Sequence, residues 1–331
     1  WIALQYCRRA ARARQVLLAV TYAGLAYALY GLIVYLSASE TLLIFRKPAY
    51  FGDLSSTFVD RNAYATYAGL GLLCATGLIL VLITQGINSG GDASPRQRLL
   101  RLIDVAFRRG GLLIAAWLAL LVALVLTHSR GGLLSTTAGL LVLLLASASS
   151  RTVGRRIVMG FVGLCVAGLA GVLLLGGEAM LMRMLQGALV LEERPLIYAR
   201  TMEAIGDADS FGTGLGTFEE AFRFYRTSDI IGTYSMAHST YLENVLELGL
   251  PAALALFAVL AAFLIACALG VRRRRRDTVY PCVGLAATVL VGVHSAIDFS
   301  LQIPAVAATY MLIMGAACAQ CWSSRRPPDP W

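Results

Sequence analysis

The sequence predicts an all-α, polytopic bundle of transmembrane helices, with about eight spans and one long helical loop on its outer side. Three observations carry this reading. Hydrophobic residues fill 58% of the 331 positions and charged residues only 14%, against roughly 25% charged in soluble domains. About eight apolar stretches approach the ~20 residues that cross a ~30 Å hydrocarbon core. The basic residues sit in short clusters between those stretches, as in loops on the cytoplasmic side. The net charge of +9 therefore reflects topology, and no nucleic acid partner is expected.

The stretches lie near 16–37, 63–85, 112–128, 131–148, 157–176, 240–270, 279–297 and 303–321. Many are rich in Leu, Ala and Gly, which suits close helix packing in lipid. Arginines precede the first (Arg8, Arg9, Arg12, Arg14) and follow the second (Arg96, Arg98, Arg101, Arg108, Arg109). They also follow the fourth (Arg151, Arg155, Arg156), the sixth (Arg272 to Arg276) and the eighth (Arg325, Arg326). An eight-span parse puts every one of these clusters on the cytoplasmic side. The chain divides into 1–176 (helices, including a hairpin at Arg130), 177–237 (the outer loop) and 238–331 (the remaining spans and a short tail). Trp1 opens in mid-pattern without a signal peptide, so an N-terminal part is expected to be missing. Cys318 and Cys321 form a CxxC within a predicted span and without a second pair. They read as small core residues, like the other cysteines of the apolar runs, and not as a zinc or redox site.

The 177–237 segment holds nine acidic residues and five arginines, and a loop of that length carries structure or function. Helices are predicted at Met180 to Val190, Pro195 to Ile205 and Thr217 to Arg226, with Pro195 suited to a first turn. The run Gly212-Thr213-Gly214-Leu215-Gly216-Thr217 reads either as turns between helices or as backbone N–H groups offered to a phosphate.

Polar chemistry gathers on the outer side. Arg130, in Thr127-His128-Ser129-Arg130-Gly131-Gly132, lies between two spans, as a topology anchor or as a functional cation. The three histidines, His128, His238 and His294, each fall at the outer end of a span. Thr240 and Glu243 fit a capping box, which sets His238 at a helix mouth that favours anions; a capping or interfacial role is the plainer alternative. Glu243 and Glu247 are costly in lipid and should face the bundle interior, where a salt bridge to an outer-loop arginine is expected; Asp298 reads the same way. No HExxH or other metal pattern and no dinucleotide or P-loop glycine pattern is present, so neither metal nor cofactor is expected. Arginine forks that grip phosphate, beside loop aromatics such as Tyr198, Phe211, Phe218 and Tyr234, suit a lipid-linked phosphorylated sugar.

Ala237-His238-Ser239-Thr240-Tyr241-Leu242-Glu243, running on to Leu246-Glu247-Leu248-Gly249-Leu250-Pro251, resembles the signature of the O-antigen ligase and polymerase superfamily. The histidine, the small polar Ser239 and Gly249 after ten intervening positions match, while Ala252 departs from the usual residue. Ser129-Arg130-Gly131, Arg194-Pro195-Leu196-Ile197-Tyr198 and Gly212 to Phe218 are similar to further motifs of the family, as are Thr57 to Asn62 and Asp298 to Ala305. The resemblance implies a bacterial inner-membrane enzyme with its loop and active site in the periplasm. It implies metal-independent, inverting transfer of a glycan from a polyprenyl-diphosphate carrier to a hydroxyl on lipid A core, growing glycan or protein. It further implies His238 as the catalytic residue and Arg130 and Arg194 as diphosphate ligands, with Arg200 and Arg226 as further candidates. Ser129, Glu243, Glu247, Gly214 and Gly216 would support them. A non-enzymatic transporter of lipid-linked sugar is the rival reading. It would want polar residues spread through the midplane, whereas these cluster at one end.

Overall fold

A buried central helix organises the bundle. The computed structural model describes residues 1–88, 97, 110–149, 160, 163, 193–230, 232–274 and 276–322. Among these residues the chain forms ten α-helices and a two-stranded hairpin, with one 3-10 turn at Ser300–Gln302. The helices are α1 (Ile2–Tyr6), α2 (Ala10–Leu36), α3 (Arg61–Asn88), α4 (Gly111–Leu126), α5 (Arg130–Ser149), α6 (Arg194–Asp207), α7 (Phe218–Phe222), α8 (Thr240–Arg273), α9 (Val279–Ser295) and α10 (Pro304–Ala319). The strands β1 (Thr41–Leu42) and β2 (Phe45–Arg46) pair antiparallel after α2.

Four helices (α2, α3, α5 and α8) are long and apolar enough to cross a membrane, and α4, α9 and α10 are shorter apolar helices of 16–17 residues. Seven of the predicted spans therefore coincide with apolar helices, and the protein is a multi-pass membrane protein. The predicted span at 157–176, apart from residues 160 and 163, and the predicted helix at Met180 to Val190 lie outside the described residues. The apolar window of α3 is 83% buried and that of α8 only 17%. One is the bundle's axis and the other turns Leu250, Leu254 and Ile265 outward, toward lipid. Small residues allow the close packing: Gly132 of α5 sits against the Cβ of Ala65 on α3. Cys321 Sγ lies 2.8 Å from where a Cβ at Gly270 would be, and Cys267 Sγ at the same distance from that of Gly284. These buried thiols fill space between α8, α9 and α10.

The long helix α8 breaks where its sequence dictates. Gly249 adopts φ 74°, ψ 160°, a region essentially open only to glycine, and Pro251 has no N–H to give the carbonyl four residues back. The Leu246 and Glu247 carbonyls are thus released, and the loop before α8 takes them: Thr213 N donates to Leu246 O (2.9 Å) and Gly214 N to Glu247 O (2.8 Å). The glycine run is a docking strap for the kinked helix, and these amides are not held open for phosphate. Ile197, Ala204, Phe218, Phe222 and Leu246 close a small second core over that junction.

Candidate functional site

Four segments far apart in sequence meet at one end of the bundle, with Asp298 at their centre. This residue lies in the turn after α9, and its side chain is 2% exposed. His238 Nδ1 stands 3.5 Å from its Oδ1, and Arg194 NH2 4.0 Å from its Oδ2. The His238 contact is close without the alignment of a hydrogen bond. Arg194 also donates to the Ile297 carbonyl (2.9 Å). The backbone oxygen of Asp298 accepts from Thr240 N (3.3 Å) and Thr240 Oγ1 (3.0 Å), which ties the turn to the start of α8. Burial alone would push the Asp298 carboxyl up. The His238 imidazole, the His294 ring, the Phe299 amide and the Arg194 guanidinium instead hold it below the ordinary carboxylate value, so it stays ionised beside His238.

His238 is fixed from several sides. Its φ of 51° is uncommon outside glycine, and Tyr198 OH holds its carbonyl at 2.7 Å. Phe299 and Tyr234 flank the ring at centroid distances of 5.2 and 6.0 Å, and Tyr234 OH donates to Glu193. With Nδ1 toward Asp298, the Nε2 edge is left for other chemistry. Its side chain is 17% exposed, which leaves that edge reachable.

A second carboxylate stands opposite. Asp60 N-caps α3, accepting from Asn62 N (2.9 Å) through Oδ1, while its Oδ2 is buried without a hydrogen-bond partner. Burial, then the charge of Asp298, raises its pKa to about 6, against the lowering effect of two backbone amides and His238. The phenol of Tyr50 feels the same group: burial, Asp60 and Asp298 push it up to about 12, with Arg61 and Arg194 pulling the other way. Beyond Tyr50, Arg61 NH1 pairs with Asp53 Oδ2 (2.6 Å), and Asp53 Oδ1 meets His128 Nδ1 (2.7 Å). His128 repeats the local design of His238: φ 51°, then a serine that caps a helix. Ser129 Oγ accepts from Gly132 N (3.1 Å) and donates to Asn62 Oδ1 (2.7 Å), joining α5 to α3. His294 is buried in α9 and shares a hydrogen bond of 2.9 Å with Thr66.

The structure thus brings Arg194, His238, His294 and Asp298 together, with Asp60 nearby. Arg130 begins α5 with an exposed side chain, next to a glycine packed on His294 and Ile297, so it stands at the same end of the bundle. Arg200 pairs with Glu203 on the surface of α6 (2.7 Å). Arg226 clips its own loop through the Ile230 carbonyl (3.0 Å). Gly216 lies in open space, and Gly214 serves the strap already described.

Three local expectations are corrected. The N-cap of α8 is Ser239, extended at φ −151°, whose Oγ faces Leu242 N; Thr240 is already helical, and its hydroxyl goes to Asp298. Glu243 and Glu247 form no salt bridge among the described residues. They are buried backbone acceptors instead, Glu243 for Ala237 N (2.7 Å) and Glu247 for Phe218 N (2.9 Å), because loop amides reach them before any guanidinium does. The predicted helix from Thr217 to Arg226 shrinks to Phe218–Phe222. Sequence reasoning gave no role to Asp60, Asp53 or Tyr50. An acid three residues before the predicted second span was the available signal for Asp60, since N-caps favour aspartate. Among the described residues no group of three or more His, Cys, Asp or Glu is placed to hold a metal ion.

Residues 114–257 match a family model described as O-Antigen ligase. No curated protein and no solved structure matches the chain.

Proposed function

We propose that this protein, whose residues 114–257 match a family model described as O-Antigen ligase, transfers a glycan from a polyprenyl-diphosphate carrier to a hydroxyl acceptor at the periplasmic face of the bacterial inner membrane. The observation that carries the reading is the meeting of Arg194 and His238 on one buried carboxylate, Asp298, both within the matched segment. The acceptor oxygen attacks the anomeric carbon from the face opposite the diphosphate, which inverts that centre. The bond from carbon to diphosphate oxygen breaks, its electron pair goes to the diphosphate, and the hydroxyl proton passes to His238 Nε2. Asp298 keeps Nδ1 protonated and stabilises the imidazolium, the work such a carboxylate does behind a general base. Hydrogen bonds of this kind tighten when substrate arrives, which suits the present 3.5 Å separation.

Charge that develops on the departing diphosphate needs preorganised donors. Arg194 and Arg130 supply guanidinium forks at the outer membrane edge, with Arg200 and Arg226 further along the same loop. Ser129 sets the start of α5 and hence Arg130. Glu243, Glu247, Gly214 and Gly216 shape the loop that carries His238. The acceptor is a lipid A core, a growing glycan or a protein hydroxyl, and the shared chemistry is the same for each. Lipid supplies the donor sideways.

The test uses purified protein in lipid nanodiscs with a polyprenyl-diphosphate-linked glycan. His238→Ala abolishes transfer while donor binding survives, because its proposed work belongs to the transition state. Arg194→Ala weakens donor binding as well, by the roughly 1.5–3 kcal/mol of a charge-assisted contact, and Arg194→Lys restores it only in part. EDTA leaves turnover unchanged. Full transfer by well-folded His238→Ala would remove the assignment.

A further inference from the structure

The outer loop after α2 encloses a second polar chamber that the transfer chemistry does not use. A cavity of about 270 Å³ lies between the end of α2 and residues 38–56, with Tyr35, Ser39, Glu40, Lys47, Asp53 and Ser55 in its wall. Neither His238 nor Arg194 lines it. It is linked to them by a chain of contacts: Asp53 holds Arg61, Arg61 lies over the Tyr50 ring at 5.3 Å, and Tyr50 is within electrostatic reach of Asp298 and Arg194.

The wall is built rather than incidental. Glu40 accepts from Gly52 N (2.8 Å) and lies 3.7 Å from Lys47 Nζ. Leu54 N takes the Leu126 carbonyl at the end of α4, and Ser56 Oγ takes the Tyr27 carbonyl of α2, so the loop is clamped to the bundle on both sides. Within this frame the hydroxyl of Ser55 is buried without a hydrogen-bond partner, although its residue is only 3% exposed. A buried hydroxyl left unpaired costs about 1–3 kcal/mol, a cost that a ligand's polar groups would offset.

The charges select the class of ligand. Lys47 is already matched by Glu40 and donates to the Asp53 carbonyl, and the second carboxylate, Asp53, is matched by Arg61. An anion would therefore meet two carboxylates and no uncommitted cation among the wall residues named. A neutral polyhydroxyl ligand meets acceptors and donors, with Tyr35 also in the wall. The volume, about 270 Å³, lies just below the roughly 300–1,000 Å³ usual for small-molecule sites, which suits a single sugar residue.

We propose that this cavity is a saccharide subsite, holding a sugar remote from the reacting bond. The inference rests on the transferase reading for its source of glycan, which is either the acceptor or the distal part of the donor. Binding is read by saturation-transfer NMR on the full chain in nanodiscs, with free glucose, galactose and N-acetylglucosamine as probes. At least one of these gives a signal with wild type and equally with His238→Ala, and inorganic phosphate does not compete. Ser39→Trp, which puts a bulky ring into the wall, abolishes the signal, and Ser55→Ala weakens it. In the transfer assay Ser39→Trp raises one KM roughly tenfold, as the loss of one or two hydrogen bonds would. A rise in the acceptor's KM assigns the subsite to the acceptor, and a rise in the donor's to the donor glycan. Sugar binding that persists in folded Ser39→Trp, or no binding of any probe by wild type, overturns the proposal. Absence of transfer by wild type would instead overturn the transferase reading, and the binding arm would still decide the cavity.

Discussion

Two carboxylates beside one histidine, pushed in opposite directions, set the electrostatics of the site at the scale of single residues. Asp298 is held below its ordinary value and remains the anion that faces His238. Asp60 is raised from 3.8 to about 6 by burial and by that anion. The sign of the consequence follows from proton linkage. An acid with a raised folded pKa keeps its proton in the folded state after the unfolded chain has lost it, so stability falls as pH rises across that interval. Asp60 therefore contributes most below about pH 4, and its contribution is lost as pH passes through about 6. Asp60→Asn, which mimics the protonated form, should remove this dependence. Thermal unfolding in detergent at pH 4, 5, 6 and 7 should show wild type losing stability relative to Asp60→Asn across that window. Parallel curves for the two proteins would mean that Asp60 is not the group described.

At the scale of elements, the kink in α8 joins the bundle to its loop. A Cβ at Gly249 would run into the Ser210 carbonyl and the Phe211 backbone, and one at Gly212 into the backbone of α8. Gly249→Ala combines that collision with a backbone region costing on the order of 1–3 kcal/mol for a non-glycine residue. Gly216→Ala meets a positive φ of 78° but nothing within 4 Å, so it carries the backbone cost alone. Limited proteolysis should thus cut the 193–237 segment much faster in Gly249→Ala than in Gly216→Ala, and thermal unfolding should rank the two the same way. Equal protection in both would break the link between kink and loop. The positions of the apolar helices and the helix after Pro195 were legible in the sequence, because span length and proline position act locally. His238 and Arg194, which the structure brings to one carboxylate, were singled out by motifs that resemble those of the family. The rest was not, since it depends on who reaches whom: Glu247 takes a loop amide instead of an arginine, and Asp53 finds His128 across 75 positions.

At the scale of the whole molecule, the two ends of the bundle are chemically distinct, and that asymmetry argues the topology. Asp53 meets His128, Ser129 meets Asn62, and Arg194 and His238 meet Asp298, so four inter-helix segments share one end. The opposite end gathers Gln320 on the Cys7 carbonyl (2.6 Å), Arg274 on the Gln320 carbonyl (2.7 Å) and Tyr280 on the Ala10 carbonyl (3.0 Å). The arginine clusters that mark the cytoplasmic side include Arg12 and Arg272 to Arg274, at that second end. Reporter fusions near 40, 130, 210 and 299 should therefore read as periplasmic, and those after 100, 153, 274 and 328 as cytoplasmic. The pair at 153 and 210 is the most demanding. Helix α5 starts at the Asp298 end with Arg130 and runs to Ser149 at the other, while Arg194 is back beside Asp298. Between Ser149 and Arg194 the chain therefore passes from one end of the bundle to the other an odd number of times. Opposite readings at 153 and 210 fit this parity. The same reading at both would leave His238 and Arg130 on different sides of the membrane, and no single diphosphate could then serve both.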